Sequence, residues 1–148
     1  MIDFQKLAKQ YKDELMDSVM RKFHAGYPEQ EVNLNIPDEI LVIPMDAILI
    51  EQVLVNLLEN AVLHADGMTK LTLRVFTIGD QAVFEVEDDG CGIKKERLHH
   101  IFTGCYDALE ENSDTQKRNA GIGLSVCATI IKAHGGEISA ENRREGGA

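Results

Sequence analysis

The chain has 148 residues, of which 44% are hydrophobic and 27% charged, with a formal net charge of −10 at pH 7. That length holds one domain with a real core, and no apolar run approaches the ~20 residues of a membrane span. The acidic balance argues against a nucleic-acid binder, which needs clustered Lys and Arg to displace counterions from phosphates.

Leu7, Tyr11, Leu15, Val19 and Phe23 recur four residues apart between charges, which predicts an amphipathic helix over 7–23 with one face turned inward. The start has no apolar centre of a signal peptide, so the expected location is cytoplasmic. Gly26, Tyr27 and Pro28 break the helix. Val32, Leu34 and Ile36 then alternate with polar residues over 31–36, and 39–43 is a second short apolar run; both are expected as strands. Asp46 is placed to cap a long helix over 47–64, which Asp66 and Gly67 would stop.

The runs 69–78 and 81–87 flank Gly79 and Asp80, the best hairpin signal in the chain, and should pair antiparallel. A short helix suits 94–102. The polar, acidic stretch 103–119 reads mostly as a mobile loop. Helix is expected again over 121–133, stopped by Gly135 and Gly136, followed by a strand over 137–141 and a turn at 144–147. Because no strand follows that turn, the natural protein is expected to continue with one more strand, leaving this chain a truncated domain with an exposed edge near 137–141.

Three motifs carry the chemistry. On the long helix, Asn56-Leu57-Leu58-Glu59-Asn60 puts two amides on one face. The Asn60 carbonyl is a hard oxygen suited to Mg²⁺, whose other ligands would be nucleotide phosphates and water; taken alone, such a pair is more often solvated or caps a loop. After the hairpin comes Asp88-Asp89-Gly90-Cys91-Gly92. A buried carboxylate at Asp88 accepts from the amine of adenine and rejects the carbonyl that guanine has there, and Gly90 and Gly92 let the main chain turn close to a flat base. A calcium loop is excluded, since Ile93, Lys94 and Lys95 stand where oxygen ligands would be required. Gly121-Ile122-Gly123-Leu124 is expected where the loop enters a helix, where free N–H groups and the helix dipole favour phosphate. Val126 stands where a Rossmann fingerprint needs its third glycine, and the Lys and Ser/Thr of a Walker loop are missing. The three cysteines, Cys91, Cys105 and Cys127, lack CxxC spacing and suggest neither a disulfide framework nor a zinc site.

Together these motifs resemble the catalytic, ATP-binding domain of bacterial sensor histidine kinases, within the wider group of gyrase, Hsp90 and MutL ATPases. Residues 52–64 look like the family's N box, 86–93 its G1 box, Ile101 and Phe102 with Tyr106 its F box, and 121–124 its G2 box. The ending 141–148 looks most like the Kdp-type, potassium-responsive members. The resemblance implies an α+β fold of the Bergerat type: a two-layer α/β sandwich with a mixed, mainly antiparallel sheet, helices on one face, and an ATP lid over about 103–120. It implies ATP and Mg²⁺ as cofactors, with Asn60 on the metal. The nucleotide would be lined by His64, Asp88, Gly90, Gly92, Ile93, Phe102, Tyr106, Lys117, Arg118, Gly121, Gly123 and Leu124.

ATP-hydrolysing members carry a water-activating Glu four residues before the magnesium-binding Asn; this chain has Asn56 there, which favours transfer to a protein histidine over hydrolysis. None of the five histidines lies in an acceptor-type helix pattern, so the acceptor is expected on a separate dimerisation domain of a membrane-anchored sensor, with a response regulator downstream. Leu63 and Gly104 replace basic residues of the family, and Asn119 replaces a glycine. Weak ATP binding, or a lid ordered only by ligand or partner, is the expectation. A degenerate nucleotide-binding scaffold and a gyrase-type ATPase are the alternatives.

Overall fold

The computed structural model describes residues 4–36, 45–64, 67–79, 81–98, 101–102, 115–144 and 146–148, with the side chains of 4–14 and 115–122 outside that description. The 39–43 run, Asp66, Asp80, His99, His100, Gly104, Cys105, Tyr106 and most of the 103–119 stretch therefore lie outside the described residues.

In chain order the elements are α1 (Phe4–Gly26), β1 (Asn33–Asn35), α2 (Ala47–His64), β2 (Leu71–Ile78), β3 (Gln81–Asp88), α3 (Lys95–Leu98) and α4 (Thr115–Ala133). The described strands form one sheet in the order β1-β2-β3, with β1 parallel to β2 and β2 antiparallel to β3. The hairpin turns at Gly79, whose φ of 60° is one that side-chain-bearing residues avoid, and Ile78 pairs with Gln81.

Strand alternation separates two faces. Leu71, Leu73 and Val75 are buried, with Val86 and Phe84 opposite the latter two on the same face, and the helices cover it. Arg74 lies on the other face, where its guanidinium pairs with Glu85 at 2.8 Å and Glu87 at 3.0 Å. The mixed sheet with helices on one face is the architecture expected from the sequence.

Helix α1 contributes Leu15, Met16, Val19 and Phe23 to the core at helical spacing, and α2 contributes Ile50, Val53, Leu54, Leu58 and Ala61. Among the described residues, α2 alone has the length and hydropathy to cross a membrane; its buried positions belong to the core of this domain instead. Its start follows the expected cap: Asp46 Oδ1 accepts from the N–H groups of Ile48 and Leu49 at 3.1 and 3.2 Å. Glu51, nearly buried on α2, accepts from the Ser18 hydroxyl at 2.6 Å and pairs with Lys22 at 3.0 Å, tying α2 to α1. Burial would raise the Glu51 pKa, but the Ser18 and Lys22 partners outweigh it, so the carboxyl lies below its ordinary value.

Helix α4 stops in a Schellman arrangement. Gly136 N–H reaches the Ile131 carbonyl at 3.0 Å, Gly135 N–H reaches that of Lys132 at 3.0 Å, and Gly135 has φ 74°.

Three expectations are corrected. The helix carrying the third motif begins at Thr115, not Gly121, so part of the stretch read as a loop is helical. Residues 137–141 form no strand: the expected alternation is present, with Ile138 partly buried between exposed Glu137 and Ser139, but no ladder partner lies beside it among the described residues. Finally, β1 is only three residues long, and its central Leu34 is exposed while Val32 and Ile36, just outside it, pack against the core.

Candidate functional site

The three motifs converge on α2. Near its middle, Asn56 lies against Gly123 of α4: a Cβ built on Gly123 would come within 2.6 Å of Asn56 Oδ1 and 3.0 Å of its Cγ. One turn further along α4, the buried Cys127 thiol lies 3.8 Å from the Val53 carbonyl of α2. Burial pushes that thiol up to about 11, with its own backbone and Asn56 opposing, so it is an inert core group. At the C-terminal end of α2, the exposed Cys91 Sγ of the second motif sits 3.5 Å from the His64 carbonyl. The Asp88–Gly92 turn is thereby held against the end of α2 that carries Asn60 and His64.

Asp88 is the last residue of β3 and faces the helix-covered side, because it pairs with Leu71 and lies two residues beyond Val86. It is 7% exposed, and its Oδ1 accepts from Gly90 N–H at 2.9 Å and Ala148 N–H at 3.3 Å. Gly92, with φ 79°, makes the left-handed turn for which a glycine is expected, whereas Gly90, expected to turn the same way, has no positive φ. The neighbouring Asp89 does a different job. Its Oδ1 accepts from the N–H groups of Thr69 and Lys70 at 2.7 and 2.8 Å and its Oδ2 from the Thr69 hydroxyl at 2.5 Å. The Thr69 hydroxyl first, then these N–H groups, hold the Asp89 pKa down at about 2.

Asn60 Oδ1 is buried and has no hydrogen-bond partner among the described residues. A buried carbonyl left unmatched in this way costs free energy unless something fills its lone pairs. A hard cation is a group that such a buried amide oxygen would suit, so the residues present fit Mg²⁺ at Asn60. No cluster of three or more His, Cys, Asp or Glu side chains is assembled for a metal among the described residues, so the remaining ligands would come from phosphate and water.

Gly121 and Gly123 lie inside α4 rather than at its start. In a regular helix their N–H groups bond to carbonyls four residues back and are not free for an anion. The phosphate end is therefore not formed in this conformation as the sequence reading expected. Leu124, the last residue of that motif, is buried in the helical layer, and Phe102 is half-buried in a turn beside buried Ile101. Of Lys117 and Arg118, only their place in the first turns of α4 is described.

Two residues to which the sequence assigned no role hold the 88–93 turn. The Asn142 side chain brackets Ile93, accepting from its N–H and donating to its carbonyl, each at 2.7 Å. Arg143 donates to the Asp88 carbonyl at 3.1 Å and pairs with Glu87 at 2.7 Å. Both lie between the strand expected over 137–141 and the turn expected at 144–147, inside the ending 141–148 that carries the Kdp-type resemblance.

A sheet whose helix-covered face ends in a buried aspartate, facing an asparagine-bearing helix, is the architecture of a nucleotide-binding α/β sandwich. The chain belongs to the histidine kinase-, DNA gyrase B- and HSP90-like ATPase family, whose sequence profile matches residues 45–148. It is 32% identical over 136 residues to the sensor protein KdpD of Clostridium acetobutylicum, covering 92% of this chain, and equally to KdpD of Escherichia coli K12. It spans 15% of the length of those two relatives. Among solved structures it resembles the nucleotide-free catalytic domain of the histidine kinase ThkA, with a TM-score of 0.71 and 26% identity, covering 92% of this chain and 87% of that one.

Proposed function

We propose that this chain binds Mg²⁺·ATP and presents the γ-phosphate to a histidine on a separate dimerisation domain of a cytoplasmic, two-component sensor kinase of the Kdp type. The observation that carries this reading is the convergence of the three motifs on α2, with Asn56 against Gly123, Cys91 against the His64 carbonyl, and the Asn60 carbonyl buried and unmatched. In the roles assigned here, Asp88 reads the adenine amine and Asn60 ligates Mg²⁺. Gly90, Gly92, Ile93 and His64 border the base, while Phe102, Tyr106, Leu124, Lys117, Arg118, Gly121 and Gly123 close the phosphate and lid side. Bound Mg²⁺ would neutralise phosphate charge, and the domain's share of catalysis would be positioning.

Transfer is favoured over hydrolysis by Asn56. A neutral amide seated against Gly123 takes no proton from water, and the carboxylate next in line, Glu59, lies toward Tyr27, whose phenol is raised first by burial and then by the Glu59 charge. The acceptor histidine is assigned to a domain outside these 148 residues, and a response regulator would take the phosphoryl group onward.

The test is calorimetric titration of the chain with Mg²⁺·ATP beside the Asp88→Asn variant, followed by addition of a histidine-bearing dimerisation domain. Saturable binding that Asp88→Asn weakens at least tenfold, then label appearing on the partner's histidine, is the expected result. Absence of binding by the unaltered chain would sink the reading, and phosphate release without transfer would move it to the hydrolase class.

A further inference from the structure

We infer that Asn142 is a positioning residue for base recognition: its side-chain amide fixes the Gly92–Ile93 main chain at the distance from Asp88 that an adenine requires. This rests on the nucleotide reading above. The carboxylamide of Asn142 presents one acceptor and one donor in the spacing of a peptide group, and Ile93 uses both, N–H to Oδ1 and C=O from Nδ2, at 2.7 Å each. Ile93 is thus held as a residue in a sheet ladder is held, although no strand runs beside it among the described residues.

The fit extends to Gly92. A Cβ built there would lie 2.9 Å from Asn142 Oδ1, and its φ of 79° already disfavours a side chain, so the glycine and the amide are matched surfaces. The next residue anchors the other end of the loop. Arg143 donates to the Asp88 carbonyl and is itself held by Glu87, and its N–H bonds to the Gly147 carbonyl at 2.9 Å. Gly147 packs on the Asp88 carbonyl with no room for a side chain, and Ala148 exchanges N–H and C=O contacts with Asp88, its carbonyl accepting from Asp88 N–H at 2.7 Å. Residues 142–148 therefore grip the base loop at both ends, Asp88 by the Ala148 backbone and the Arg143 guanidinium, and Ile93 by the Asn142 side chain. The second grip rests on the Asn142 amide alone.

The consequence is a selective effect on the base. Without the amide, the Ile93 groups exchange to water and the Gly92–Ile93 main chain loses its register with the Asp88 carboxylate, while Asn60 and α4 are untouched. Loss of the bracket corresponds to about tenfold in affinity for a ligand that needs the register.

The experiment measures Kd for Mg²⁺·ATP and Mg²⁺·GTP, with thermal unfolding, for the unaltered chain, Asp88→Asn, Asn142→Ala and Asn142→Asp. The Asp variant keeps the size and the acceptor of Asn142 but sets an oxygen against the Ile93 carbonyl. The expected result is ATP binding weakened about tenfold by either Asn142 variant, GTP binding unchanged and melting little altered. Equal weakening of both nucleotides, or unchanged ATP binding, would overturn the assignment, and so would failure of both variants to fold, since that marks a structural role. If instead the unaltered chain shows no preference for ATP, or Asp88→Asn leaves that preference intact, the nucleotide reading itself fails and the inference falls with it. An intact Asp88 effect beside a silent Asn142 removes the inference alone.

Discussion

Asp88 and Asp89 are adjacent carboxylates with unrelated tasks, and the strand sets them apart. Asp88 still belongs to β3 and turns to the helix side, whereas Asp89 has left the strand and clamps Thr69 and Lys70 where the chain approaches β2. The clamp makes a pH prediction with a definite sign. The Asp89 pKa is about 2 in the folded chain against an ordinary 3.8, so its contribution to stability is complete above about pH 4 and is lost as pH falls toward 2. An Asp89→Asn variant should be less stable than the unaltered chain at neutral pH, and the gap should close between pH 4 and 2 in urea titrations at stepped pH. A gap that stays constant across that window would show that the clamp is not ionic in origin. The sequence placed the buried carboxylate at Asp88, as the structure has it, but the Asp89 clamp was not legible, because its partners Thr69 and Lys70 lie about twenty residues away along the chain.

Helix packing sets the distance between Asn56 and the third motif, and Gly123 is the residue that permits it. In an exposed helix interior, Gly→Ala stabilises by about 0.5–1 kcal/mol. Here the added Cβ would meet Asn56 Oδ1 at 2.6 Å and Cγ at 3.0 Å, and forcing extra volume into a packed contact costs about 1–3 kcal/mol. The steric term wins, so Gly123→Ala should lower the urea midpoint and displace the Asn56 side chain. A rise in stability would mean that the Asn56 side chain turns aside at little cost. The elements that were legible beforehand share a local cause: Asp46 caps α2 with its own side chain, Gly79 turns the hairpin, and Gly135 and Gly136 end α4. What was not legible depends on partners distant in sequence. The alternation over 137–141 reports which residues turn inward, not whether a strand lies alongside, and nothing near Asn142 in sequence announces Ile93 as its partner.

The base half and the phosphate half of the proposed pocket differ in readiness, and this follows from how α4 is built. Asn142 already holds Ile93, and Arg143 and Ala148 already hold Asp88, while the glycines meant for phosphate are spent in helical hydrogen bonds because α4 runs from Thr115. Gln116, Lys117, Arg118 and Ala120 are all good helix formers, which explains why the helix continues through a stretch that its polar composition marked as loop. Phosphate can use the N–H groups of Gly121 and Gly123 only if the turns before them unwind, and two glycines make that unwinding less costly than it would be elsewhere in the helix. Mg²⁺·ATP should therefore reduce the helical signal at 222 nm as it saturates the chain, in proportion to residues 115–120 leaving the helix. Mg²⁺·adenosine, which has no phosphate, should leave the signal unchanged. A helical signal that stays constant or grows with bound ATP would place the phosphates away from the Gly121–Gly123 N–H groups, and would shift their recognition to the lid side chains and the Mg²⁺ held by Asn60.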